Sequence, residues 1–330
     1  MSGSGSNAFL DLLRVLAPQG VPELVLLVAA ALLAVIAAGT IAFLAAWLGA
    51  WLERRLAPDG SGVQDSGGAE SGGRPLGRVF AWAGAFGALA ACPIAPNVFF
   101  ADLRHGAVAM LALLGLSTVG EALQRPDGRG ARALAASGAA GLALLAALLA
   151  AGTPNLIAAS LTQSAGIGLA WSAFTDPFVL LSFAVFVAAR AGEPRDDASG
   201  SFSAARVRRF AWAVLGACYF LGGFESPLTW TLRQSLGEAP GFLNHGVGAD
   251  GREFTQVSLG GFLFQMACAA TLFAKALLLE AAAARLGAQS RRAASPWSTR
   301  LPWPGMIALA TLALAGAGAW EWFAAVTGAR

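Results

Sequence analysis

The 330-residue chain is 56% hydrophobic and only 12% charged, with a mean hydropathy of +0.62, whereas about a quarter of the residues of a soluble domain are charged. That composition excludes an ordinary water-soluble enzyme. The alternating polarity of a lipid-spanning β-strand is absent, which leaves helices as the elements that satisfy their own backbone in lipid. The net charge of +3 comes from arginines beside apolar runs, a pattern of a cytoplasmic membrane face rather than of a nucleic-acid partner.

Residues 1–21 read as an N-terminal tail followed by a short interfacial helix. Gly and Ser alternate at the start, and Phe9, Leu12, Leu13 and Leu16 then recur at helical spacing. A basic n-region with a short apolar core is missing, so the first span is expected to stay in the protein. That span covers 22–52. Its 29 uncharged residues from Leu24 to Leu52 exceed the ~20 that a helix needs to cross a bilayer. It closes on Trp47, Trp51 and the charged triplet Glu53-Arg54-Arg55. Residues 57–77, rich in Gly, Ser and Asp, are expected to form a flexible cytoplasmic loop.

Further spans are predicted at 79–101, 103–122, 133–152, 168–189, 210–230, 256–279 and 302–323. Thr153-Pro154-Asn155 breaks the chain after the fourth, and residues 156–170 carry enough Ser, Thr, Gln and Gly to lie at the outer interface. A charged cytoplasmic hinge occupies 190–209, and a polar loop, Thr231–Thr255, follows the sixth span. Arginine counts set the orientation. Of the 22 Lys and Arg residues, 16 fall in the hinges after spans one, three, five and seven, five fall on the other side, and Lys275 lies inside the seventh span. The expected fold is therefore all-α: a single transmembrane domain over 22–323 with about eight transmembrane helices and both termini on the outer (periplasmic) side. It is multi-pass in a bacterial cytoplasmic (inner) membrane, with the lipid bilayer as its first partner and no role for nucleic acid. No inverted repeat of the transporter kind is visible.

Ionisable residues inside apolar spans are costly and single themselves out. Glu225, in the outer part of the sixth span, is the candidate for an intramembrane proton relay; at the interface it would simply be solvated. Asp176 and Lys275 read as helix-end residues that pair or reach toward the interface. His105 and His245 are isolated, and Cys92, Cys218 and Cys268 sit singly without a CxxC spacing, so no metal site is expected and the cysteines read as small core residues. No P-loop, dinucleotide fingerprint or Ser/His/Asp set is present, so no catalytic residue is assigned. On the cytoplasmic side, Glu53, Arg54 and Arg55 face a hinge carrying Glu193, Arg195, Asp196 and Asp197. This mixture suits either a solvated loop or a docking site for a peripheral subunit.

Ala101-Asp102-Leu103-Arg104-His105-Gly106, with Leu111-Ala112, Leu116 and Gly120, resembles the A-D-L-x-x-G start of the third span in the complex I subunit 1 family. That family is the quinone-site membrane subunit of NADH-quinone oxidoreductase (respiratory complex I) and is shared with membrane-bound hydrogenases. Leu52-Glu53-Arg54-Arg55 is similar to the family's A-E-R motif. The stretches Gly130–Ser137, Gly141–Leu144, Arg209–Ala211 and Phe262–Phe264 resemble the entries to later spans. The resemblance covers most of the chain with short motifs. The family's G-P-N-R-V-G-P run is absent, its long acidic loop shrinks to Glu193–Asp197, and its titratable residues in spans four and six become Ser137-Gly138 and Ala217-Cys218-Tyr219.

What the resemblance implies is a scaffold that docks the peripheral electron-transfer arm and lines a quinone pocket. Glu53, Arg54, Arg55, Glu193, Arg195, Asp196 and Asp197 would form the pocket mouth or docking site, and Asp102 would cap the third span. Quinone would be the substrate and no cofactor would be bound by this chain, the iron–sulfur clusters lying in partner subunits. Proton translocation is the part of the family's chemistry that the resemblance supports least, because Ala and Gly replace groups that a relay needs within hydrogen-bond reach. Two alternatives share the sequence evidence: the membrane anchor of a hydrogenase-type complex, and a stand-alone transporter, for which Glu225 and the Gly222-Gly223 break speak.

Overall fold

The computed structural model describes residues 40, 44, 47, 75–93, 105–125, 129–163, 171–194, 203–236, 243–247, 253–257, 259–292 and 303–327. Of the first predicted span this includes Thr40, Leu44 and Trp47, all helical. The interfacial helix of the tail, most of the 57–77 loop, Glu53, Arg54, Arg55, Asp102, Arg195, Asp196 and Asp197 lie outside the described residues.

Among the described residues, three long apolar segments set the frame: α2 (Gly106–Gln124), α3 (Arg129–Ala151) and the stretch Leu259–Gln289 of α9 (Leu259–Arg292). Each is long and apolar enough to cross a membrane. Shorter apolar stretches fill α6 (Pro177–Ala191) and residues Gly305–Ala319 of α10 (Trp303–Thr327). The remaining helices are α1 (Pro75–Ala90), α4 (Leu156–Leu161), the single turn α5 (Ser172–Thr175), α7 (Ala204–Phe220) and α8 (Pro227–Leu236).

Large side chains stay exposed along the long helices: Val108, Leu116, Val119 and Leu123 on α2, and Phe262, Leu263, Met266 and Leu278 on α9. Contiguous apolar faces of this extent on a water-soluble monomer would drive association, whereas lipid covers them at no cost. The inward faces are built from small residues. Ala136, Ala139, Ala140, Ala143 and Ala147 of α3 and Ala310, Ala313 and Ala317 of α10 have zero exposure, and the two helices pack closely on each other. Helices that cannot gain from the hydrophobic effect in lipid associate through such close backbone approach.

α7 is the axis of the bundle. Every residue from Val207 to Phe220 is buried, and the helix packs on α1, α2, α3, α4, α6 and α9. A helix buried all round belongs to the interior rather than to the lipid-facing shell. The three cysteines are free and buried.

Three local features differ from the sequence expectation. The fifth span is cut at Asp176-Pro177. Asp176 Oδ1 accepts from the backbone N–H of Phe178 (2.7 Å) and Val179 (3.3 Å), with Pro177 at the first position of α6, a cap and a proline in their favoured places. The sixth span does not run through to residue 230: α7 stops at Phe220, Gly222 and Gly223 take φ of 66° and 46°, and α8 restarts at Pro227. The loop after it is structured rather than merely polar. It contains the end of α8 and an antiparallel hairpin of β1 (Leu243–Val247) and β2 (Glu253–Val257), with His245 opposite Thr255. This hairpin is the one departure from all-α among the described residues.

Candidate functional site

Arg190 lies in the last turn of α6, Glu193 follows three residues later, and Ser203 caps α7 by accepting from the Arg206 N–H at 3.4 Å. That cap starts α7 so that Arg208 and Arg209 fall in its second turn. Successive residues on a helix point about 100° apart, so the two arginines serve different neighbours. Arg208 reaches Glu193 (Nη2 to Oε1, 2.6 Å) and also pairs with Glu121 of α2. Arg209 reaches Glu280 of α9 (Nε to Oε1, 3.3 Å).

Arg190 pairs with the other oxygen of Glu193, and Arg125 lies 3.4 Å from Glu121 Oε1. The result is a continuous chain, Arg125–Glu121–Arg208–Glu193–Arg190, with Arg209–Glu280 beside it. Arg208 and Glu193 are each only 1% exposed. The Arg190 guanidinium also lies over the Trp212 ring, 5.9 Å from its centre.

Charges so deeply buried persist only when paired. Burial pushes the Glu193 carboxyl up, but Arg190, Arg208 and Arg209 outweigh it and hold the group down at about 2. Burial also pulls the Arg190 guanidinium down. For Arg208 the same penalty is overcome by Glu193 and Glu121, and its pKa rises. Beside the knot a small cleft with about 10 Å³ of internal space, room for about one water, is lined by Phe186, Val187, Arg190, Ala213, Leu279, Glu280 and Ala283. That is below the ~300–1,000 Å³ of typical small-molecule pockets. Among the described residues no three His, Cys, Asp or Glu side chains gather as metal ligands.

A second polar centre lies at the far end of α7. Helix ends leave their last carbonyls unpaired, and lipid offers no water to satisfy them. Here other helices supply donors. Gln163 Nε2 donates to the carbonyls of Cys218 (2.9 Å) and Tyr219 (3.2 Å), while its Oε1 accepts from the Ser172 N–H (3.0 Å). Lys275 of α9 donates to Leu221 O at 2.5 Å and to Glu225 O. The Glu225 carboxylate, 5% exposed, pairs with Arg233 of α8 (3.3 Å).

No protein-family profile matches this chain, and no curated protein matches it.

Of the eight site residues expected from sequence, Glu193 and Glu225 are described; the other six lie outside the described residues. The two are not brought together. Arg208, which holds Glu193, and Phe220, just short of Glu225, are twelve residues apart on α7, or about 18 Å at 1.5 Å per residue. Glu193, expected at the pocket mouth or docking site, is enclosed between two guanidinium groups. Lys275 does not extend toward an interface but turns inward onto backbone carbonyls. Glu121, Arg190, Arg208, Arg209 and Glu280 were not singled out by sequence. Their signal is an acid or a base at the ends of apolar runs that meet only once the hinges are brought together. Gln163 is a polar residue in an apolar stretch, and its partners are remote in sequence.

Proposed function

We propose that this chain is a membrane-embedded component of an NADH-quinone oxidoreductase assembly, of the complex I subunit 1 type. It would be built on about eight spans in the bacterial inner membrane with both termini outside. In this reading its basic end docks a cluster-bearing peripheral subunit, and other membrane subunits flank it. The observation that carries the reading is the ionic knot. Glu121 and Arg125, Arg190 to Arg209, and Glu280 come from three of the four arginine-rich hinges, and they converge at one end of the bundle. Convergence of that kind supports a single basic face, as the positive-inside pattern requires, and a rigid platform under any docked partner. The size of the Arg190 cleft implies that a quinone headgroup would need further walls, from residues 53–55 and 195–197 or from a neighbouring subunit.

The test is co-purification in mild detergent. Iron–sulfur proteins and antiporter-like membrane subunits should accompany the chain, and a hydrogenase large subunit among them would favour the hydrogenase-type anchor. Arg54→Ala combined with Arg55→Ala should release the peripheral subunit while membrane insertion stays intact, read by immunoblotting of membrane fractions. Full retention would count against those arginines as the docking edge.

The broken α7 favours a second reading, a stand-alone transporter, because discontinuous helices commonly build substrate sites in such proteins. Under it, Glu225→Gln should slow proton-coupled uptake in vesicles of the purified chain. Unchanged flux would make the carboxylate a partner of Arg233 and nothing more.

A further inference from the structure

Lys275 is 8% exposed, and its ammonium meets two carbonyls and an aromatic face, groups that bind a small organic cation. Leu221 O accepts from it at 2.5 Å and Glu225 O accepts as well. The ring of Trp171 lies with its centre 4.8 Å from Nζ, within the range at which an aromatic face attracts a cation. Leu221 is the C-terminal cap of α7, where the helix dipole adds partial negative charge. The backbone is shaped to present both oxygens inward. Gly222 and Gly223 adopt φ of 66° and 46°, and a Cβ on Gly222 would lie 3.0 Å from the Trp171 ring. The cradle therefore needs glycine there for both conformation and space.

Lys275 lies five residues before Glu280 on α9, about 7 Å along the axis at 1.5 Å per residue. Its side chain leans toward the helix N-terminus, as Cβ vectors do. The cradle is thereby displaced from the ionic knot along the bundle, and Lys275 is largely buried there.

We propose that Leu221 O, Glu225 O and the face of Trp171 form a primary-ammonium site at the α7 break, and that the chain fills it with its own Lys275. This assignment is independent of the docking reading, since it concerns the opposite end of α7. The residue acts as a tethered ligand: it neutralises the end of α7 and locks the α7–α8 joint closed. A free alkylammonium of matching length can enter when the tether is cut.

Lys275→Ala removes the atoms of a propylammonium group, so n-propylammonium chloride is the probe. In thermal unfolding of the detergent-purified full chain, the alanine variant should melt below the wild type, and n-propylammonium should recover most of that loss. It should leave the wild type unmoved, and it should not rescue Lys275→Met, whose uncharged side chain occupies the space. Sodium chloride at equal ionic strength and 1-propanol should not rescue. Recovery of all variants alike, recovery by sodium or propanol, or no recovery of Lys275→Ala would each overturn the site. If the alanine variant does not accumulate, Trp171→Phe and Trp171→Leu with Lys275 intact decide the matter. The phenyl face should retain more of the melting temperature than leucine, and equal losses reject the cation–aromatic contact.

Discussion

Arg208→Met is expected to lower the stability of the folded chain by about 3–5 kcal/mol, the range for removing one member of a buried ion pair. Arg208 is 1% exposed and is shared by Glu121 and Glu193. Without it, Glu193 retains Arg190, and Glu121 retains Arg125, whose side chain is 30% exposed. One carboxylate is left under-compensated in the interior and the other leans on a partly solvated partner. Melting in mild detergent measures the loss. A double-mutant cycle separates pairing from packing: Arg208→Met and Glu193→Gln together should cost less than the sum of the two, with a coupling of about 0.5–3 kcal/mol for residues in one network. Strict additivity would mean that the pair is a geometric coincidence.

The same network fixes a pH dependence. The Glu193 carboxyl is held at about 2, below its ordinary value of 4.5. A depressed carboxylate contributes stability that is complete above the unfolded-state value and is lost as pH falls through the folded-state value. The expected window is thus from about 4.5 down to about 2. The displacement corresponds to roughly 3 kcal/mol at 1.36 kcal/mol per unit. Glu193→Gln should flatten the acid limb of melting temperature against pH. An unchanged limb would assign acid sensitivity to other carboxylates.

Apolar runs identify α2, α3 and α9 as membrane-length helices directly, because length and hydropathy are local properties. The break at Asp176-Pro177 is equally local, and a cap followed by proline is readable in advance as a helix start. What the sequence cannot display is pairing across helices. Lys275 looks like an interfacial lysine until α7 is known to end opposite it. Glu121 looks like a helix-end acid until Arg208 arrives from a hinge 87 positions later. Depth along its own span is therefore a poor guide to an ionisable residue. Its energy is decided by what the neighbouring helix leaves unsatisfied. Gly222-Gly223 is the informative exception. The doublet marks the break in the sequence itself, and the carbonyls it frees call for the donors that Gln163 and Lys275 provide.

Two glycines on α2 should respond to the same substitution with opposite signs. A Cβ on Gly120 would collide with the backbone N of Ala81 and lie 2.7 Å from Gly77 O and 2.8 Å from Phe80 C. Every obstacle is main chain, so no side chain can turn aside, and α2 must move off α1. That movement would also strain the hydrogen bond from Ser117 Oγ to Ala81 O (2.8 Å) and the close approach at Gly84, where a Cβ would sit 2.5 Å from Ser117 N. Gly120→Ala should therefore cost about 1–3 kcal/mol as overpacking, with Gly120→Val beyond that range. Gly115 lies on the exposed face of the same helix, and a Cβ added there would meet no atom within 4 Å. There Gly115→Ala should stabilise by up to about 1 kcal/mol, the helix-propensity difference alone. Melting temperatures of the two alanine variants in one detergent make the comparison. Shifts of the same sign would mean that α1 and α2 are not packed backbone to backbone, and the small-residue seam that joins them would have to be abandoned.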